Sequence, residues 1–169
     1  LGHSVHSLSI IPEDHKSKTD EEKGPAILLI HGFGASTMHW RHNLPVLGKQ
    51  YEVHALDLLG FGKSSKPSGL AYGGPLWKDQ IVAYVKEKIG RPTILVGNSL
   101  GGYAALASGA ALGAEAAGVV LLNAAGYFSE DKKTTTGFWA TARKTVAGIF
   151  LKNALLQRII FENLRQPST

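Results

Sequence analysis

The sequence predicts an α/β protein, with a mostly parallel sheet covered by helices on both faces. Short apolar, β-branched runs recur at residues 26–30, 52–56, 93–96 and 119–122. Runs of that length and continuity suit strands buried on both sides. Helical spacing fills intervals between them, at residues 76–89 and 100–111. Alternating strands and helices are the signature of a parallel sheet joined by crossovers.

In chain order, residues 4–11 predict one or more N-terminal strands, and the charged stretch 15–24 an exposed connection. The all-apolar run Ala26-Ile27-Leu28-Leu29-Ile30 is a doubly buried strand. Residues 37–47 predict a short helix that Pro45 ends or kinks near its C-terminus. After the strand at 52–56 comes a turn-rich stretch, 60–74. The helix at 76–89 presents Trp77, Ile81, Tyr84, Val85 and Ile89 at helical spacing. Beyond Asn123, two apolar stripes (Phe138, Ala142, Val146, Ile149 and Phe150; then Leu155, Leu156, Ile159 and Ile160) predict one or two amphipathic helices over 132–165. The expected division is therefore 1–131 as core and 132–169 as the beginning of a helical cap.

Composition excludes several classes of protein. With 44% hydrophobic and 18% charged residues, the chain has the makings of a core and is not a disordered segment. Cysteine is absent, which removes disulfides, thiolate metal sites and cysteine nucleophiles. No apolar run approaches the roughly 18 residues of a membrane span. The N-terminal residues are polar and histidine-bearing where a signal peptide would be apolar. Residues 132–169 hold seven Lys/Arg and one acid. That imbalance reads first as a solvated helix surface, and second as a candidate for peripheral contact with an anionic membrane. No nucleic-acid module accompanies it.

Chemistry concentrates at Gly97-Asn98-Ser99-Leu100-Gly101, a serine between glycines at a strand-to-helix junction. A sharp turn there lifts the hydroxyl above the sheet edge, as in a nucleophile elbow. The Leu100 N–H then faces the oxygen that becomes charged during attack on a carbonyl. Directly after the strand at 26–30, His31-Gly32-Phe33-Gly34 forms a tight loop, and the Phe33 N–H is placed to be the second oxyanion donor. His31 is expected to orient that loop rather than act as a base. Two phosphate-binding alternatives fail on spacing. Gly60-Phe61-Gly62-Lys63-Ser64 ends like a P-loop but has Asp57 at the first glycine position, and Gly32-Phe33-Gly34 has Thr37 where a dinucleotide turn needs its third glycine.

These segments, with Asp57-Leu58-Leu59-Gly60-Phe61-Gly62-Lys63-Ser64, Leu76-Trp77-Lys78-Asp79-Gln80 and Val120-Leu121-Leu122-Asn123-Ala124, resemble the α/β-hydrolase superfamily. Within it they are similar to the pheophytinase and chlorophyll-dephytylase-like hydrolases over approximately residues 26–128. The resemblance implies a serine esterase without metal or organic cofactor, with Ser99 as nucleophile and Phe33 and Leu100 as oxyanion donors. It implies a lipophilic ester substrate, such as the phytyl ester of a chlorophyll pigment. It also implies a cytoplasmic setting, or the chloroplast stroma or thylakoid surface in a photosynthetic eukaryote. Asp57 matches a recurrent loop aspartate with a structural role, and Trp77 and Tyr103 are expected to pack.

The pattern then breaks. The superfamily places an acid and a histidine after the serine, but all seven histidines of this chain lie at or before His54. The acids after Ser99 are Glu115, Glu130, Asp131 and Glu162. His39, His42 and His54 are the upstream substitutes, each with a structural explanation of its own. The expectation is a chain that stops inside the cap and is inactive alone. The alternatives are a non-catalytic hydrolase-fold binding or scaffold protein, and a thioesterase or perhydrolase using the same elbow. Dehalogenase and epoxide-hydrolase chemistry is disfavoured, because those reactions use an aspartate where Ser99 stands.

Overall fold

A computed structural model describes residues 2–125. Five strands form one sheet: β1 (Ser7–Ile10), β2 (Ala26–Ile30), β3 (Val53–Leu56), β4 (Thr93–Asn98) and β5 (Ala116–Leu122). Their spatial order is β1-β3-β2-β4-β5, with β1 antiparallel to β3 and every other pair parallel. The helices are α1 (Asp20–Lys23), α2 (Asn43–Leu47), α3 (Gly74–Tyr84) and α4 (Leu100–Leu112).

Strand periodicity sorts the core into two layers, because successive side chains leave a strand on opposite faces. Leu28 and Ile30 of β2, Leu56 of β3 and Leu95 of β4 join Trp77, Ile81 and Val85 with Ala104, Ala105 and Leu112 on one face. Ile27 and Leu29, with Val53 and Ala55, join Trp40 and Leu44 on the other. Helices therefore cover both faces, as predicted. α4 buries residues on almost every side, Gly101, Ala104, Ala107 and Ser108 among them. A helix apolar all round belongs inside, and its small side chains let it lie close on the sheet.

Three elements differ from expectation. The stretch 15–24 is not a featureless connection. It holds a 3₁₀ turn (Glu13–Ser17) that buries His15, and then α1, which opens with a Thr19–Glu22 capping box. Residues 37–47 form a 3₁₀ turn (Thr37–Trp40) followed by α2, with Pro45 in the first turn of the second piece. A first-turn N–H has no helical acceptor, so proline loses nothing there. β5 starts at Ala116 rather than residue 119, because its first residues are too small to announce a strand. The cap, the amphipathic stripes, Glu130, Asp131 and Glu162 lie outside the described residues.

Candidate active site

Chain order reverses across β2: β3 lies on one side of it and β4 on the other. In parallel sheets, ligands bind at the carboxyl ends of strands flanking such a reversal. The segments leaving β2, β3 and β4 there are 31–36, 57–64 and Ser99 with α4.

Ser99 has φ 52° and ψ −117°, a left-handed conformation that an L-residue adopts at a cost of about 1–3 kcal/mol. Surrounding hydrogen bonds hold it there. Its N–H donates to the Leu122 carbonyl at 3.0 Å, and its carbonyl accepts the N–H of Gly102 at 3.0 Å and of Ala125 at 2.9 Å. The turn also needs three glycines for close approach. A Cβ on Gly97 would overlap the Gly101 backbone, and one on Gly101 would overlap the carbonyls of Ile30 and His31. One on Gly102 would lie 2.6 Å from the Ala124 Cβ. Asn98 donates from Nδ2 to the Leu122 carbonyl at 3.4 Å. Leu100 is the first residue of α4, so its N–H has no acceptor within the helix and points from the positive end of the helix dipole.

The loop after β2 lies against this turn. A Cβ on Gly32 would sit 3.2 Å from the Ser99 Cβ and 3.2 Å from Asn98 Oδ1. Gly34 turns the chain away with φ 69°, and Phe33 between them is 80% exposed. His31 is fully buried and both ring nitrogens are engaged. Nδ1 lies 2.7 Å from the Gly32 carbonyl, and Nε2 accepts the Leu58 N–H at 3.0 Å. Those partners select the neutral ring protonated on Nδ1. Burial holds the His31 pKa below the ordinary histidine value, against the opposing pull of the Gly32 carbonyl and the Asp57 charge.

Asp57 joins the second loop to the first. Its carboxylate accepts the N–H of Thr37 at 2.6 Å and of Lys63 at 2.8 Å, and lies 3.0 Å from His6 Nδ1. Burial pushes this carboxyl up, but the two N–H donors, with the His6 and His31 rings nearby, hold it below the usual range. Ser64 Oγ donates to the Asp57 carbonyl at 2.7 Å and accepts the His6 N–H at 2.9 Å. From α3, Gln80 receives the Leu59 N–H at 2.8 Å and donates to the Asp57 carbonyl at 3.0 Å. Trp77 Nε1 donates to the Leu59 carbonyl at 3.0 Å.

His6 and Thr37 escaped the sequence reading, since they lie 51 and 20 residues from Asp57 and no local pattern links them. Gln80 was legible in principle: it is buried on α3 beside Trp77 and Ile81, where an apolar residue is the default.

Of the upstream candidate histidines, His54 is engaged elsewhere. His54 Nε2 lies 2.8 Å from Glu52 Oε1, and Nδ1 lies 3.1 Å from the Tyr84 hydroxyl. Glu52 also pairs with Arg91 at 2.8 Å, and Arg91 reaches the Gly24 carbonyl. This cluster occupies the amino ends of β3 and β4, away from Ser99. His39 meets Trp40 edge-on at 4.7 Å, and His42 sits in the turn before α2.

A profile of the alpha/beta hydrolase family matches residues 27–165. The chain belongs to the alpha/beta hydrolase family. It is 34% identical to chloroplastic pheophytinase of Arabidopsis thaliana over 139 residues, covering 64% of this chain and 29% of that protein. It is 34% identical to the mouse (lyso)-N-acylphosphatidylethanolamine lipase over 105 residues, 60% of this chain and 28% of the lipase. Among solved structures, a bacterial membrane phospholipase A superposes with a TM-score of 0.62 at 31% identity, over 74% of this chain and 41% of that one. The chain thus spans under a third of the length of these two curated relatives. Among the described residues of this alpha/beta hydrolase, no helix is long and apolar enough to cross a membrane, and no cluster of His, Asp and Glu could hold a metal ion.

Proposed function

We propose that this chain carries the nucleophile and oxyanion half of a serine hydrolase that cleaves carboxylic esters through an acyl-enzyme. The observation that carries the reading is the strained turn at Ser99, heading α4 and packed against Gly32 of the β2 loop; the Leu100 and Phe33 N–H groups would serve as its oxyanion donors. Ser99 Oγ attacks the ester carbonyl and gives its proton to a base. The N–H groups of Leu100 and Phe33 receive the oxyanion. Collapse expels the alcohol, and water then cleaves the acyl-serine. His31 and Asp57 hold the donor loop in place; neither touches substrate.

For substrate, we favour a lipophilic ester such as the phytyl ester of a chlorophyll pigment. The similarity to pheophytinase and to a lipase supports this, as does the bare Phe33 ring beside the elbow. A chloroplast stromal or thylakoid-surface setting would accompany that substrate, and the basic segment 132–169 would supply peripheral membrane contact.

A second reading, a hydrolase-fold protein that binds such an ester without turnover, draws on one fact: every histidine lies at or before His54. A fluorophosphonate probe separates the two. In the uninterrupted reading frame that encodes this chain, the hydrolase reading expects covalent labelling that Ser99→Ala abolishes, with release of alcohol from a long-chain ester. Unlabelled Ser99, with the ester bound and recovered intact, would establish the binding protein instead.

A further inference from the structure

We propose that the cleft between the β2 loop and residues 60–72 is a binding subsite for a flat apolar ring system bearing a hydrogen-bond acceptor or anion at its edge. The proposal rests on the ester-hydrolase reading, whose substrate it describes.

The cleft has a volume of about 390 Å³, within the range of small-molecule sites. Phe33, Phe61, Tyr72 and Trp77 wall it, with Lys66 and Pro67 at the rim. Phe61 is the hub of the wall. Its ring meets Phe33 at 5.5 Å and 75°, His31 at 5.7 Å and 81°, and Trp77 at 6.0 Å and 43°. Hydrogen bonds fix two of the wall's rings: Trp77 Nε1 donates to the Leu59 carbonyl at 3.0 Å, and the Tyr72 hydroxyl to the Pro67 carbonyl at 2.7 Å.

The wall is thus preorganised, and a flat ring system gains edge and face contacts with it beyond simple burial. Phe33 has no such cover. At 80% exposure its ring stands in water, and a ligand in the cleft would shield it. Lys66 adds polarity at one point. Its ammonium donates to the Gly62 carbonyl at 2.6 Å and the Ser64 carbonyl at 3.3 Å. An ammonium has three protons, which leaves one for an acceptor on the ligand's edge. The cleft also connects to the chemistry. Phe33 follows Gly32, whose absent Cβ would lie 3.2 Å from the Ser99 Cβ. One wall of the cleft thus adjoins the loop residue that packs on Ser99.

The test is fluorescence titration of the full 169-residue chain with two probes, N-phenyl-1-naphthylamine and 1-anilinonaphthalene-8-sulfonate. They share a flat body, and the second carries an anion. Saturable binding of both is expected, tighter for the sulfonate. Phe33→Ala and Tyr72→Ala replace exposed side chains and leave the core intact, as thermal melts would verify. Each should weaken both probes by about five-fold, the size of one aromatic contact. Lys66→Met should erase the sulfonate's advantage and leave the neutral probe unaffected. Val46→Ala, on the exposed side of α2, should change nothing. Wild-type affinity in both aromatic variants would overturn the proposal. So would failure of the full chain to bind either probe, the result of a cleft filled by another part of the chain. Neither probe is an ester. Probe binding without fluorophosphonate labelling therefore removes the hydrolase reading alone, and labelling without probe binding removes the subsite alone.

Discussion

Asp57 accepts the backbone N–H of Thr37 across 2.6 Å, tying the segment that leaves β3 to the end of the loop that leaves β2. His31 makes the reciprocal tie, accepting the Leu58 N–H at 3.0 Å. The loop expected to carry one oxyanion donor is stitched to its neighbour from both directions.

Removing the first stitch should be severe. Asp57→Ala would leave the buried N–H of Thr37 without an acceptor, at about 1–3 kcal/mol, and would also release the more exposed Lys63 N–H. Asp57→Asn keeps one acceptor oxygen and should lose roughly half as much. Urea midpoints of the three proteins check this, and equal midpoints for wild type and Asp57→Ala would contradict the arrangement.

Stability should fall in acid in two stages. The native His31 pKa lies below its ordinary value, so the unfolded chain takes up that proton first. The contribution of the neutral ring is complete above the unfolded value of about 6.5 and is lost as pH falls through the native one. Asp57 and Glu52 are likewise held below their ordinary values of 3.8 and 4.5. Their contribution is full above those values and disappears as pH falls through the native ones. Melting temperatures from pH 8 to pH 3 should therefore decline gently below pH 6.5 and more steeply below about pH 4.5. A flat profile down to pH 5 would show that the buried imidazole is not held neutral.

Strain at the elbow has a thermodynamic signature. Ser99→Gly relieves the φ of 52°, whereas Ser99→Ala keeps it. The glycine variant should exceed the alanine variant in stability by about 1 kcal/mol, even though glycine gains entropy when unfolded. Equal stability, or a more stable alanine variant, would mean that the turn stores no strain.

Close packing beneath Ser99 should tolerate no side chain. Gly101→Ala would drive a methyl group into the carbonyls of Ile30 and His31, forcing α4 away from β2. A loss of about 3 kcal/mol or more is expected, since backbone cannot yield as a side chain can. Gly113→Ala, whose Cβ would meet nothing within 4 Å, is a control for the glycine-to-alanine change at a left-handed position on the same helix's end. Its penalty should be smaller, and denaturant titration of both variants decides the comparison.

Much of this organisation was legible in the sequence, for identifiable reasons. The run Ala26–Ile30 is apolar at every position because helices cover both its faces, and so it announces itself. The elbow was readable because its glycines, serine and flanking elements are contiguous. What stayed hidden depends on contacts distant in sequence. Nothing around His15 says that a histidine in a charged stretch will be buried, and nothing near Asp57 names His6 or Thr37. Pro45 misled because proline marks a helix start as readily as an end, and only the break after Trp40 decides which.

The partly buried Glu52, His54, Tyr84 and Arg91 cluster joins β3, α3 and the segment before β4 at the amino ends of the strands, while the elbow occupies the carboxyl ends. One sheet thus has an anchoring pole and, at its other end, the proposed reactive pole. Substitutions at sites so separated, sharing no partner, combine nearly additively. An engineer could therefore raise the melting temperature by repacking the anchoring pole without disturbing the geometry around Ser99.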